Sequence, residues 1–414
     1  MYPSIKNKTL SLKNNFLWTL SGNLAYGFLQ WAMLIMLARL GSPEIVGQFM
    51  LGLTLSAPIM MFANLSLRQI QGTDAEQKYS FSAYLGLRLT TITLALIAII
   101  IITLISDYST ETRAVILIMA LAKGFESVSD LLYGLFQQRL RMDYISKSLI
   151  IGGVVTLIVM TLIMLMTRNI VWVVSGMAVV WCLQLAIYDL WNLHQIGEKF
   201  KPSFHLPSLK LLALFALPMG FVSLLNSLNV NIPRYFVEVH WGEYHLGIFA
   251  TLSYLIIIGN RFITALGEVI APRLAKHLID HNHAILRAYL ARMLIFGGAL
   301  GGLSVFVSWW LGYEIINLIY GAEYAAYADL FVWLMIVAAL GYLAILIQYF
   351  MIAYRLFKQQ LIVVIIATVS LLIASYLLIP TQGLYGAAIA LGVSSLLQFV
   401  ISVQIVIWRN NRPA

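Results

Sequence analysis

Uninterrupted apolar runs, such as Ile97 to Ile102 and Ile362 to Ile366, recur along this chain with only short polar connections between them. About 20 such residues, coiled as an α-helix, cross a hydrocarbon core of roughly 30 Å. In lipid only helices and closed barrels satisfy their own backbone groups, and runs of this length read as helices. The expected spans are 15–38, 45–66, 82–105, 114–137, 147–167, 170–192, 209–230, 245–270, 289–313, 328–352, 360–379 and 386–408. The first, second and eighth carry many polar residues, so their ends are the least sharply marked. The expected fold is an all-α polytopic membrane protein of about 12 transmembrane helices. Composition agrees, with 61% apolar and 10% charged residues, where soluble domains carry about 25% charged. In water such a chain would expose large apolar patches and aggregate. Met1 to Lys13 is polar and basic, and the apolar run after it is too long for a signal-peptide core.

The basic residues test the topology. With the N-terminus in the cytoplasm, 19 of the 26 Lys and Arg fall in cytoplasmic segments or adjoining span ends. Arg39, Arg113, Arg168 and Arg234 fall on the other face, and Arg88, Lys123 and Arg261 lie deep inside spans. This asymmetry places both termini on the cytoplasmic side of the membrane. It also accounts for most of the net charge of +9 without nucleic acid as a partner. Trp172, Trp191, Trp241, Trp309, Trp310 and Trp408 stand near span ends, where interfacial anchors belong. Cys182 is the only cysteine, so the chain holds no internal disulfide.

Leu193 to Ser208 is the longest polar stretch near the middle, with Lys199, Lys201, Pro202 and Pro207. It divides the chain into an N-terminal lobe, 1–192, a cytoplasmic linker, 193–208, and a C-terminal lobe, 209–414. Gly47-Gln48-Phe49 and Gly247-Ile248-Phe249 open the second and eighth spans 200 residues apart, each after an acidic residue, Glu44 or Glu243. Equal orientation of those spans implies parallel repeats and two pseudo-symmetric six-helix lobes. Pro58 and Pro218 fall inside spans, where each removes a backbone hydrogen bond and bends its helix.

Ionisable residues inside spans are costly and need protein or water around them. Arg88 and Arg261 measure roughly 9–14 Å from the cytoplasmic face at 1.5 Å per helical residue, one in each lobe. Lys123, Glu126, Asp130 and Tyr133 recur at i, i+3, i+7 and i+10 and share one face of the fourth span. Glu268 follows Arg261 by seven residues on the eighth. Two readings stand side by side. Lys123 can pair with Glu126 or Asp130, and Arg261 with Glu268, as structural ion pairs, while Arg88 snorkels to the interface. Alternatively these cations line a polar cavity that holds an anion, for which the arginine fork suits phosphate. Asn15, Thr19, Asn23, Tyr26 and Gln30 on the first span, and Ser223, Asn226, Asn229 and Asn231 on the seventh, extend the polar lining or join helices by hydrogen bonds. No Gly-rich phosphate loop is present. No cysteine or tight acidic partner completes a metal set around His277, His281 and His283. No cofactor is expected, and no connection on the outer face reaches 20 residues.

Four stretches carry a family resemblance. They are Ala38-Arg39-Leu40-Gly41 through Gly47-Gln48-Phe49, Asp130 to Gln138 with Arg141-Met142-Asp143, Asn231-Ile232-Pro233-Arg234-Tyr235 leading to Leu246-Gly247-Ile248-Phe249 and Tyr254, and Gly383-Leu384-Tyr385-Gly386-Ala387-Ala388. In this order the chain resembles the polysaccharide transporter branch of the MOP flippase superfamily, the Wzx-like carriers of lipid-linked oligosaccharides. The resemblance implies a MATE-like, V-shaped pair of six-helix lobes working by alternating access. It implies a substrate of oligosaccharide repeat units on undecaprenyl pyrophosphate, moved from the cytoplasmic to the periplasmic leaflet for O-antigen, capsule or exopolysaccharide synthesis. A glycan polymerase and a chain-length regulator are candidate partners, beside membrane lipid. Arg88, Lys123 and Arg261, with Asn23, Tyr26 and Asn226, are the candidate substrate-binding residues. Glu126, Asp130 and Glu268 are candidates for coupling to a proton or sodium gradient. Related lipid-linked precursor flippases hold several arginines in the first two spans; this chain has none within them, apart from the flanking Arg39 and Arg68. The competing expectations are a drug/cation antiporter of the multidrug branch and a membrane glycan polymerase or ligase. The carrier reading expects no enzymatic activity.

Overall fold

A computed structural model describes residues 10–73, 79–279, 283–354 and 356–410; some helical side chains, chiefly between 258 and 287, are not among those described. The described chain is helical, with no strand. In order come α1 (Leu12–Leu40), α2 (Pro43–Ala63), the short α3 (Leu67–Thr73), α4 (Phe81–Ile105), α5 (Thr110–Gln138), α6 (Met142–Thr167) and α7 (Ile170–Leu183). A π-helical turn, Gln184–Asp189, joins α7 to α8 (Leu190–Gln195). Then follow α9 (Leu206–Ile279), α10 (His283–Ile319), α11 (Ala322–Ala325), α12 (Ala328–Ala353) and α13 (Phe357–Asn410). Caps set several of the starts. The side chains of Ser80, Ser109 and Asn169 accept from the first free N–H groups of α4, α5 and α7, and Pro43 opens α2 where its missing N–H costs nothing.

Among the described helices nine are long and apolar enough to cross a membrane. Two of these run for 52 residues each, Leu206–Ile257 and Lys358–Arg409. The helices that contain them are broken at Gly242 (φ 81°) and Gly383 (φ 59°), backbone settings that glycine adopts readily. α5 stands outside the nine because Lys123, Glu126 and Asp130 interrupt its apolar character. Exposure runs opposite to that of a soluble protein: on α4, Leu94, Ile101 and Ile105 face outward while Arg88 is fully buried. Apolar residues turn to lipid and charges turn to protein, as a bilayer requires. The chain is a multi-pass membrane protein.

Two compact units are present, Met1–Ser227 and Leu228–Ala414. The division falls inside α9 rather than in the 193–208 connection. Leu209, Leu212 and Ala216 at the start of α9 join Leu65, Leu67, Leu131 and Phe136 in the core of the first unit. The Ser203 N–H donates to the Ser82 carbonyl at 2.8 Å, so the connection also lies on α4. In the second unit Ile232, Leu371 and Ala390 form a small buried cluster, and Trp241 Nε1 donates to the Ile379 carbonyl at 2.8 Å. Helix α9 continues through 231–241, where the sequence suggests a polar outer turn. Asn231 and Arg234 are buried in the second unit, so their polarity marks internal packing rather than a loop.

Candidate functional site

The polar face of α5 organises the first unit. Lys123 Nζ meets Glu126 Oε2 at 2.6 Å and lies 5.3 Å from the Trp181 ring of α7. Tyr26 of α1 donates its hydroxyl to Glu126 Oε1 at 3.0 Å. One helical turn along, Asp130 faces two arginines. Arg68 Nη1 meets Asp130 Oδ1 at 3.1 Å, and Arg88 Nη2 stands 3.5 Å from Oδ2. Arg88 Nη1 also donates to Asn64 Oδ1. Local structure places these groups. Asn64 caps α2, and Leu65 and Ser66 take left-handed φ values of 49° and 50°. That tight turn directs α3, and Arg68 with it, back toward α5. The Arg68 guanidinium lies 5.6 Å from the centre of the Tyr133 ring. Arg88 is 0% exposed, whereas Arg68 and Asp130 are 30% and 31% exposed. The snorkelling alternative for Arg88 therefore does not describe this structure.

Tyr133 begins a second network. Its hydroxyl donates to Ser148 Oγ at 2.8 Å, and Gln184 Nε2 donates to the same oxygen at 2.7 Å. Ser148 in turn donates to Asp189 Oδ1 at 2.7 Å. Asp189 is fully buried, and its Oδ2 has no hydrogen-bond partner. Gln184 and Asp189 begin and end the π-helical turn, an irregularity found often at functional sites. Gly152 makes room for the network: a Cβ there would stand 1.7 Å from Gln184 Oε1. Outside the spans, Arg141 grips Asp143 with two bonds of 2.8 and 2.9 Å. Those hydrogen bonds hold its guanidinium above the ordinary arginine pKa.

The structure thus brings Lys123, Glu126, Tyr26, Arg88 and Asp130 into one unit, in two neighbouring clusters. Asn23 and Asn226 are exposed on α1 and α9, outside both clusters. The side chains of Arg261 and Glu268 lie outside the described residues, as do His277, His281 and His283. Among the described residues no group of three or more His, Cys, Asp or Glu is placed to hold a metal ion. Sequence reasoning missed Asn64, Ser148, Gln184 and Asp189 as members of the buried network, and treated Arg68 as flanking charge. The available signal was a carboxylate and an amide, Asp189 and Gln184, inside an otherwise apolar span.

The chain shares its helical fold with solved membrane proteins. It is similar to an inward-facing multidrug resistance MATE family transporter of the MOP superfamily, with a TM-score of 0.73, 14% identity, and 93% and 94% of the two chains covered. It is also similar to the lipid II flippase MurJ in an inward closed conformation, with a TM-score of 0.69, 14% identity, and 95% and 87% coverage. Residues 12–278 match the family described as polysaccharide biosynthesis protein, and the chain belongs to that family. A relative, capsular polysaccharide biosynthesis protein CapF of Staphylococcus aureus, is 30% identical over 393 residues, 93% of this chain and 96% of the relative.

Proposed function

We propose that this protein is a flippase that moves undecaprenyl-pyrophosphate-linked oligosaccharide repeat units from the cytoplasmic to the outer leaflet of the bacterial inner membrane. Both termini then lie in the cytoplasm, and transport proceeds by alternating access of two six-helix lobes, with no chemical step on the substrate. Family membership supports a role in making polysaccharide, and the capsular relative favours capsule, O-antigen or exopolysaccharide as the product. The observation that carries the reading is the burial of Arg88 beside Arg68 and Asp130 in a lipid-embedded bundle. A pyrophosphate and its sugars lose their water on leaving the aqueous phase, and fixed cations and hydrogen-bonding groups replace it. Neutral or cationic drugs would have no use for such a site.

Arg88, Lys123 and Arg261 are the proposed cations for the head group, with Tyr26, Asn23 and Asn226 as hydrogen-bonding groups. A proton or sodium gradient is the proposed energy source, with Glu126, Asp130 and Glu268 as candidate ion-binding groups, since occupancy of one state shifts the equilibrium between conformers. Arg261→Ala and Lys123→Ala are each expected to abolish glycan display in a complemented deletion strain while the protein reaches the membrane at wild-type level. Wild-type display by well-expressed variants would refute those assignments.

A further inference from the structure

The guanidinium of Arg88 is short of acceptors. Nη1 donates to Asn64, Nη2 lies 3.5 Å from Asp130 Oδ2, and neither Nε nor Nη2 makes a hydrogen bond. Good N–H···O bonds are nearer 2.9 Å. A wholly buried side chain that carries five donors is costly to leave in this state. The same carboxylate also serves Arg68 at 3.1 Å. One negative charge therefore answers two positive ones, and the trio keeps a net positive charge. Arg68 and Asp130 are each about a third exposed, and Arg88 beside them is fully buried. A carboxylate presents two oxygens; a diphosphate presents more oxygens and more charge, in the bidentate geometry that arginine prefers.

We propose that Arg68, Arg88 and Asn64 form a diphosphate-binding site, and that Asp130 is a built-in counter-anion that occupies it until a diphosphate ester displaces it. The inference rests on the reading of a pyrophosphate-linked substrate. Asp130 keeps two buried or half-buried arginines compatible with lipid while the site is empty. It also sets a threshold: a weakly charged anion cannot compete with a tethered carboxylate, and a diphosphate can. Asp130 then sets the selectivity of the site for the anion.

The test is binding of inorganic pyrophosphate to the purified full-length chain in detergent, by isothermal titration, with sulfate as the comparison anion. Asp130→Asn removes the competing charge while keeping the side chain's shape. It is expected to bind pyrophosphate roughly tenfold or more tightly than wild type, because a like charge a few ångströms from the ligand is gone. A purely structural carboxylate predicts unchanged or weaker binding, and that result overturns the proposal. If Asp130→Asn fails to fold, Arg68→Ala carries the test against Lys147→Ala, whose cation lies 5.4 Å from the Trp18 ring. Arg68→Ala is expected to lose roughly tenfold or more in affinity and Lys147→Ala to match wild type; equal binding by all three overturns the site. Either negative result leaves the flippase reading intact, because that reading is decided by the leaflet on which lipid-linked units accumulate when the gene is absent.

Discussion

Ser148→Ala removes one oxygen and, with it, the centre of the buried network. Ser148 Oγ accepts from Tyr133 at 2.8 Å and from Gln184 at 2.7 Å, and donates to Asp189 at 2.7 Å. Gln184 keeps the Ser148 carbonyl at 3.1 Å, so the groups harmed are the Tyr133 hydroxyl and the Asp189 carboxylate. Each buried polar group deprived of a partner costs about 1–3 kcal/mol, with charged groups at the upper end. Partial relaxation brings the expected total to about 2–4 kcal/mol. For a unit of this size that lowers the unfolding temperature by roughly 5–15 °C, readable by thermal unfolding of the purified protein in detergent. The mechanism has a second signature. Asp189→Asn removes the buried charge, so in the Ser148→Ala background it is expected to restore part of the loss. The double-mutant cycle is then expected to show coupling of about 1 kcal/mol or more. A Ser148→Ala protein within about 2 °C of wild type, or strictly additive effects, would refute the network argument.

Other expectations follow from close approaches of the backbone. A Cβ at Gly86 would meet the Ser203 carbonyl oxygen at 1.9 Å, so Gly86→Ala is expected to lift the 199–205 connection off α4 and break the Ser203–Ser82 bond. Overpacking of this kind costs about 1–3 kcal/mol; trypsin cleavage after Lys199 is expected to rise on the order of tenfold, and unchanged cleavage would count against the contact. At Gly383 φ is 59° and an added Cβ would stand 3.2 Å from the Trp241 ring, so Gly383→Ala is expected to cost about 1–3 kcal/mol. Trp241→Phe, which loses the hydrogen bond to Ile379, is expected to cost about 1 kcal/mol. Thermal unfolding that ranked the two the other way would contradict the turn geometry.

The face of α5 was legible because helical periodicity alone aligns Lys123, Glu126, Asp130 and Tyr133. Their partners were not, because Arg68, Asn64, Ser148 and Asp189 arrive from other helices, and spacing along one element carries no information about its neighbours. Lys123–Glu126 came out as the local pair that i, i+3 spacing allows, whereas Arg88 found its anion on another helix rather than at the interface. The apolar runs gave the spans, yet the bounds of the long α9 were hidden. Asn231 and Arg234 look like loop residues in a hydropathy reading, and only packing shows that they are buried within a helix. The start of α9 joins the first unit through Leu209, Leu212 and Ala216, an allegiance that an apolar sequence cannot declare.

Turnover of lipid-linked glycan across the membrane is tested by the sidedness of those lipids in a deletion strain. Spheroplasts are treated with a membrane-impermeant label, and lipid-linked repeat units are extracted and scored for labelling. Single repeat units are expected to accumulate unlabelled on the inner leaflet, with surface glycan lost and restored by the wild-type gene. Single units that appear labelled on the outer leaflet, unpolymerised, would contradict the flippase reading and place the protein after the flipping step.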